Sequence, residues 1–282
     1  KKDPNQIRLC VDMREANKAI QRERHQTPTL DELINDLNGA TCFSKLDLRS
    51  GYHQLELNRD SRYITTFSTH MGLFQYKRLN FGISSASEIF QETGHSIIQD
   101  IQGAKNISAD IIVFGKTKAE HDTALQATFQ RLEEKGLTLN KEKCELDKNK
   151  IAYFGLVFSA DGVSPDPTKV EAIREAAAPR NVSEMRSFLG MMNYSGRFIP
   201  NYATICEPLR RLTQQGVPWE WSTEQQTAFQ TLKDTLSANT VMAYYDPNKE
   251  IQIVVDASPV GLAAILEQET KAIAYASRAL TS

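Results

Sequence analysis

A lone aspartate stands against an apolar run in 105-KNISADIIVFG-115, where Asp110 precedes Ile111-Ile112-Val113-Phe114. An acidic side chain pressed against so apolar a segment is unusual unless a cation holds it. Two adjacent acids would suit a divalent ion, yet the neighbour of Asp110 is Ala109. A second acid, Asp47, lies near the end of the run 41–48, just before Arg49-Ser50-Gly51. Carboxyl ends of strands are common addresses for catalytic groups. Both acids fall at strand boundaries, on segments that can lie side by side in one antiparallel sheet. Magnesium takes hard oxygen ligands at about 2.1 Å and usually keeps substrate phosphates in its shell. Two such ions about 4 Å apart stabilise both the attacking and the leaving oxygen of a phosphoryl transfer. Spacing alone leaves another reading open, in which Asp47 caps a turn before Gly51.

The elements that must position these acids follow from periodicity and punctuation. Residues 41–48 (TCFSKLDL) read as a strand, with Cys42, Ser44 and Leu46 on one side and Phe43, Lys45 and Asp47 on the other. Before it, 29-TLDELINDL-37 has helical spacing and ends at Asn38-Gly39, a C-cap signal. Arg8 to Asp12 alternates like a short strand. QLEL and YITTF within 54–78 read as antiparallel strands, with a further turn at His70-Met71-Gly72. Ser85-Ala-Ser-Glu88 reads as a capping box opening a helix to about Asp100, and Gly103 to Asn106 as a tight turn before the Ile111–Phe114 strand. A second box, Thr117-Lys-Ala-Glu120, starts a helix that ends before Gly136. Short strands follow to Phe158 around the polar turn 147–150.

Beyond Asp161-Gly162 the character changes. Asp166 before Pro167 is an N-cap signal, and helices are expected over 167–177, 182–196 and 204–214. Trp219 and Trp221 anchor a linker, and Ser222 or Thr223 caps a helix to about Leu236. IQIVVDAS, GLAAILEQ and KAIAYASRAL are strand-like. The pattern is an α+β body, a small helical unit and the opening of a β-rich segment.

The totals fit a folded chain. It has 282 residues, 40% hydrophobic and 24% charged, and no run of about 18 apolar residues that would span a membrane. The start lacks the apolar core of a secretory signal and lacks a Met, so both ends read as cut from something longer. Cys10, Cys42, Cys144 and Cys206 are too dispersed for a zinc site, and reduced thiols in a cytosolic or nuclear setting are expected. A net charge of −2 excludes a uniformly basic coat but leaves room for local patches. Residues 1–24 carry seven basic against four acidic side chains.

Five segments, 8-RLCVDMREAN-17, 43-FSKLDLRSGYHQ-54, 78-RLNFGISSASEIFQ-91, 107-ISADIIVFG-115 and 136-GLTLNKEKC-144, together resemble the reverse transcriptases of gypsy-type LTR retrotransposons. The likeness continues through 153-YFGLVFSADGV-163 and 188-FLGMMNYSGRFIP-200, so it covers nearly the whole chain. It implies a right-hand polymerase of α+β class, with fingers and palm in 1–160, thumb and connecting helices in 161–240, and an incomplete RNase H-like β segment in 241–282. The palm sheet would be antiparallel. The substrates would be deoxynucleoside triphosphates and a primed RNA or DNA template, with Mg²⁺ or Mn²⁺ as cofactor and no membrane. The setting would be a cytoplasmic retroelement particle or the nucleus.

The resemblance also assigns roles. Asp47 would be the first metal-binding aspartate, assisted by the Leu48 carbonyl. The family's paired aspartates fall on Ala109 and Asp110, so a direct ligand is missing. Three carboxylates become two, and DNA synthesis should drop by on the order of a thousandfold or more. Ala109 reads either as decay of a genomic copy or as a deliberate change that traps a complex; the intact surroundings favour the latter. Lys1 and Arg8 would grip the incoming triphosphate. The backbone at Arg49, Ser50 and Gly51 would meet it, Gly51 allowing close approach.

Tyr52 would exclude a ribose 2′-hydroxyl, or else is a core aromatic. Phe81 and Gly82 would lie over the nucleotide; Asn80 stands where the family commonly has Pro. Lys143 would protonate the leaving pyrophosphate, or else is a surface lysine. Phe154 and Gly155 would hold the primer 3′ end. Arg186, Arg197, Arg210 and Arg211 would meet phosphates from the thumb, or else serve solubility alone. Asp256 matches the first metal ligand of an RNase H site that these residues cannot complete, and the last strands should pack loosely. Two other classes stay in view: a binding module that holds template–primer or a protein without catalysis, and a different phosphotransferase using Asp47 alone.

Overall fold

Alternating residues of the 42–47 segment serve two different surfaces, and this organises the first half of the chain. The computed structural model describes residues 9–22, 25, 27–238 and 241–280. The chain divides into two compact units, residues 1–33 with 40–149 and residues 34–39 with 150–282.

The first unit opens with a short helix α1 (Arg14–Asn17), and α2 (Leu30–Asp36) contributes residues to both units. Thr29 and Glu32 cap α2 reciprocally: the Glu32 amide donates to the Thr29 hydroxyl and the Thr29 amide to the Glu32 carboxylate. Strand β1 (Cys42–Asp47) follows, then the hairpin β2 (Phe67–Thr69) and β3 (Gly72–Phe74). Helix α3 (Ala86–Ile98) leads into β4 (Ala104–Ile107), β5 (Asp110–Gly115), helix α4 (Lys118–Glu134) and β6 (Glu145–Lys148). The palm-type sheet has the order β4-β5-β1-β6, and the β1–β5 and β4–β5 pairs are antiparallel. Helices α3 and α4 pack against it. Leu46 and Val113 reach zero exposure and join Phe90, Ile98, Ile111 and Leu132 in one core cluster. Each such fully buried side chain contributes roughly 1.5–3 kcal/mol. The other face of β1 carries Lys45, 2.6 Å from Glu145, and Asp47.

The second unit begins with a three-stranded meander, β7 (Lys150–Tyr153), β8 (Leu156–Ser159) and β9 (Gly162–Pro165). Helices α5 (Pro167–Glu175), α6 (Val182–Ser195), α7 (Tyr202–Arg211) and α8 (Thr223–Ser237) follow. The expected caps are made: Asp166 accepts from the Thr168 amide, Asn181 from Glu184, and Ser222 forms a full box with Gln225. A second meander, β10 (Gln252–Ser258), β11 (Gly261–Gln268) and β12 (Lys271–Ala279), ends the described chain. Helix α7 covers β11 and β12, with the Ala203 amide donating to the Ser277 hydroxyl at 3.0 Å. The last strands are expected to pack loosely, yet α7 covers two of them. Strand β10 remains open, with Val255 at 74% exposure.

Several expectations are corrected. QLEL and YITTF do not pair as strands: 51–54 and 59–65 are 3-10 turns. Local side-chain bonds win there, Asn58 accepting from the Asp60 amide and the Thr65 hydroxyl donating to the Arg62 carbonyl. Leu55 and Leu57 instead exchange single backbone bonds with Leu79 and Lys77, each 2.9 Å. The turn expected at Gly103–Asn106 is mostly strand β4, and the reversal falls at Ser108-Ala109, with Ser108 at φ 55°. Ser85 makes no side-chain cap, its φ of −93° and ψ of 1° departing from the extended cap conformation, and the Glu88 carboxylate pairs with Arg22 at 2.6 Å. Residues 9–12 form no strand, and Arg8 lies outside the described residues.

Candidate active site

Asp47 and Asp110 are directly opposite partners in the β1–β5 ladder, at the end where β5 begins. Opposed residues of an antiparallel pair hold their Cβ atoms about 4.5–5.5 Å apart, so the two carboxyls are neighbours by register alone. Burial pushes the Asp110 carboxyl above its ordinary value, the Asp47 charge pushes it further, and Lys45 and Lys143 oppose both. Two acids crowded in this way form the donor set expected of a hard divalent cation. Asp47 and Asp110 would hold it; Ala109, one residue before Asp110, offers no oxygen. The Asp47 side chain accepts from Lys143 Nζ at 3.5 Å and makes no cap to the 3-10 turn among the described residues. It is therefore not the turn cap that its position before Gly51 allowed.

Three neighbouring segments close around this pair. The Leu48 amide donates to the Ala109 carbonyl at 2.9 Å, tying the end of β1 to the hairpin turn. Ser50 and Gly51 follow with φ of 60° and 44°, and a Cβ on Gly51 would stand 3.8 Å from that of Ala109. Lys143 ends a 3-10 turn, 141–143, anchored by the Asn140 amide donating to the Asp47 carbonyl at 2.8 Å. The Tyr52 ring lies 5.0 Å from Phe81 and 5.4 Å from Phe90, half-buried against the core cluster. Gly82, at φ 100°, would bring a Cβ to 3.1 Å from the Val11 carbonyl, so the strap 80–82 lies close over residues 11–13. Asn17 holds the strap from both sides, donating to the Gly82 carbonyl at 2.8 Å and accepting from the Ser84 amide at 2.9 Å. Asn80 is buried and donates to the Phe81 carbonyl at 3.0 Å, a side-chain bond at the position where the resembled family commonly has proline.

The structure thus assembles Asp47, Leu48, Arg49, Ser50, Gly51, Tyr52, Ala109, Asp110 and Lys143 in one region of the first unit, with Phe81 packed on Tyr52. Lys1 and Arg8 lie outside the described residues. Phe154 and Gly155 form the β7–β8 turn of the second unit, with φ of 50° and 71°. Asp256 sits on exposed β10, where the Asn201 amide donates to it at 3.5 Å. Of the arginines assigned to the thumb, Arg186 donates to the Thr213 carbonyl, Arg210 lies over the Tyr202 ring and Arg211 pairs with Glu224 at 2.6 Å.

Two glutamines that motif reading passed over fix the site. Gln91, buried on α3, donates to the Asn106 carbonyl at 3.1 Å and accepts from the Ser108 amide at 2.6 Å. It holds the turn that presents Ala109 and Asp110. Gln54 donates to the carbonyls of Arg49 and Thr138 at 2.7 and 2.9 Å and accepts from the Thr138 amide at 2.7 Å. It clamps the loop after β1 to the segment after α4. Both end quoted motifs, FSKLDLRSGYHQ and RLNFGISSASEIFQ. A terminal amide, donor and acceptor at once, was the available signal.

Residues 1–158 match the family described as reverse transcriptase (RNA-dependent DNA polymerase), and residues 221–282 match the RNase H-like domain found in reverse transcriptase. The chain is 34% identical over 285 residues to the retrovirus-related Pol polyprotein from transposon 412 of Drosophila melanogaster, spanning 99% of this chain and 23% of that protein. It is 29% identical over 265 residues to the Tf2-3 transposon polyprotein of Schizosaccharomyces pombe, spanning 93% of this chain and 20% of that one. The chain therefore spans about a quarter or less of the length of these relatives. A solved foamy viral protease–reverse transcriptase bound to double-stranded DNA superposes with a TM-score of 0.89 at 24% identity, over 98% of this chain and 49% of that chain. The fold is the α+β fold of right-hand polymerases, and the chain belongs to the reverse transcriptase (RNA-dependent DNA polymerase) family.

Proposed function

We propose that this chain is the RNA-directed DNA polymerase core of a retroelement polyprotein, acting on a primed RNA or DNA template with deoxynucleoside triphosphates, and that Ala109 impairs this copy. The observation that carries the reading is the direct opposition of Asp47 and Asp110 across β1 and β5. In the reaction a primer 3′-oxygen attacks the α-phosphorus, a P–O bond forms, and the bond to pyrophosphate breaks. Mg²⁺ or Mn²⁺ bound at Asp47 and Asp110 would supply charge neutralisation for the attacking and leaving oxygens.

The chain's own groups do the rest. Lys143, 3.5 Å from Asp47, would protonate the leaving pyrophosphate. The segment 49–51, exposed at Arg49 and Ser50, would meet the triphosphate, and Tyr52 would exclude a ribose 2′-hydroxyl. Phe154 and Gly155 would take the primer end. Solved relatives of this fold are complexes with double-stranded DNA and with an RNA/DNA hybrid, which supports a duplex as partner. A cytoplasmic retroelement particle, or the nucleus, is the proposed setting. The subdomain limits proposed are 1–160, 161–240 and 241–282.

The test is magnesium-dependent primer extension by the parent and by Ala109→Asp. The reading expects near-background extension from the parent and a gain of on the order of a thousandfold from the variant. A second reading, a module that binds template–primer without synthesis, draws on Ala109 itself. It would be supported if Ala109→Asp bound the duplex but extended nothing.

A further inference from the structure

We propose that the Lys169 ammonium is a phosphodiester-binding group for the primer strand, built onto the Phe154–Gly155 hairpin. The proposal rests on the polymerase reading of that hairpin. Lys169 lies in the first turn of α5, behind the Asp166 cap and Pro167. Its side chain runs back over the β7–β8 turn. A Cβ on Gly155 would overlap both the ammonium and its neighbouring carbon, so the ammonium's place exists because Gly155 has no side chain. The nitrogen stands 4.1 Å from the centroid of the Tyr194 ring on α6. Tyr194 in turn donates its hydroxyl hydrogen to the Phe154 carbonyl. Three segments of the second unit, the hairpin, α5 and α6, thereby fix one cation at an exposed surface.

Chemistry points to the occupant. A surface lysine normally keeps its rotamer freedom, and ordering it costs entropy. Here an aromatic face orders it through cation–π attraction. Among the described residues no carboxylate pairs with it, so its charge stays available to an outside anion. The exposed Tyr194 ring lies beside the ammonium, and Phe154, also exposed, precedes Gly155 in the hairpin. A cation held on an exposed aromatic ring suits a strand that offers a phosphate beside sugar and base. The hairpin's left-handed turn at 154 and 155 keeps backbone and cation on one rigid support.

The test uses the full chain and a DNA duplex with a recessed primer 3′ end, so catalysis is not required. Affinity is measured against salt, and then with single neutral methylphosphonates placed along the primer. Lys169→Gln should weaken binding several-fold and reduce the slope of log K against log salt by about 0.9, the loss of one phosphate contact. One methylphosphonate should weaken the parent and leave Lys169→Gln indifferent, while Lys169→Arg keeps the parent's sensitivity. Lys135→Gln, an exposed lysine after α4, should leave the slope unchanged. The proposal is overturned if the parent binds the duplex but Lys169→Gln retains its slope and its sensitivity at every linkage. A parent that binds no primed duplex would instead defeat the polymerase reading itself.

Discussion

Gln91 and Asn106 exchange two hydrogen bonds: the Gln91 side-chain amide donates to the Asn106 carbonyl at 3.1 Å, and the Asn106 side-chain amide donates to the Gln91 carbonyl at 3.2 Å. Both residues are buried, and the remaining oxygen of Gln91 receives the Ser108 amide. Helix α3 and the turn bearing Asp110 are thus one hydrogen-bonded body. Gln91→Leu should lower stability by about 2–3 kcal/mol, because it strands the buried Asn106 carbonyl and the half-buried Ser108 amide. Denaturant unfolding measures the loss, and faster exchange of the Ser108 amide would locate it. In an Ala109→Asp background the same change should slow primer extension by roughly tenfold or more, since a misplaced carboxylate loses alignment.

Gly94 faces the same junction. A Cβ there would overlap the Asn106 side-chain amide, which is buried and held by Gln91. Gly94→Ala gains about 1 kcal/mol of helix propensity but should still destabilise by roughly 1–3 kcal/mol net. Adding Asn106→Ala should make the pair non-additive, with Gly94→Ala costing less in that background. Additive costs in a double-mutant cycle would show that the two residues do not meet.

Ala109→Asp places a third carboxylate beside Asp110, whose own carboxyl is already raised by burial and by Asp47. Without divalent ions the variant should melt below the parent. The sign follows from the raised carboxyl: its neutral form is favoured in the fold, so stability is lost as pH rises through its shifted value. The penalty should therefore shrink as pH is lowered toward the ordinary carboxylate range. Saturating Mg²⁺ should raise the variant's Tm more than the parent's. Equal Mg²⁺ shifts would argue that no ion is held there.

Cys42 offers a pH dependence away from the site. Burial first, then its bond to Asp147 at 3.1 Å, pushes its thiol up to about 11. The neutral thiol is favoured in the fold, so its contribution is complete below the unfolded value of about 8.5 and is lost as pH rises to about 11. The stability difference between the parent and Cys42→Ser should shift by on the order of 1–3 kcal/mol between pH 8 and 11. Unfolding by urea at several pH values checks this, and a flat difference would contradict it.

Local signals made much of the fold legible. Capping at Thr117, Asp166, Asn181 and Ser222 fixed helix starts, because a cap is a contact among residues a few positions apart. Alternation at 42–47 correctly separated Leu46 from Asp47. The same logic failed at QLEL and YITTF, where Asn58 and Thr65 bond locally and a non-local partner, 77–79, takes the ladder bonds.

Residue order alone determined which acids are present, that Ala109 supplies no ligand, and which families of helix and strand flank them. Only the tertiary structure decided the register that sets Asp47 against Asp110, the crossing of α3 that lets Gln91 hold their turn, and the close fit of Lys169 over Gly155. Such pairings join residues tens of positions apart. Their energy depends on geometry that no local pattern encodes, since a one-residue slip of β5 would turn Asp110 to the opposite face.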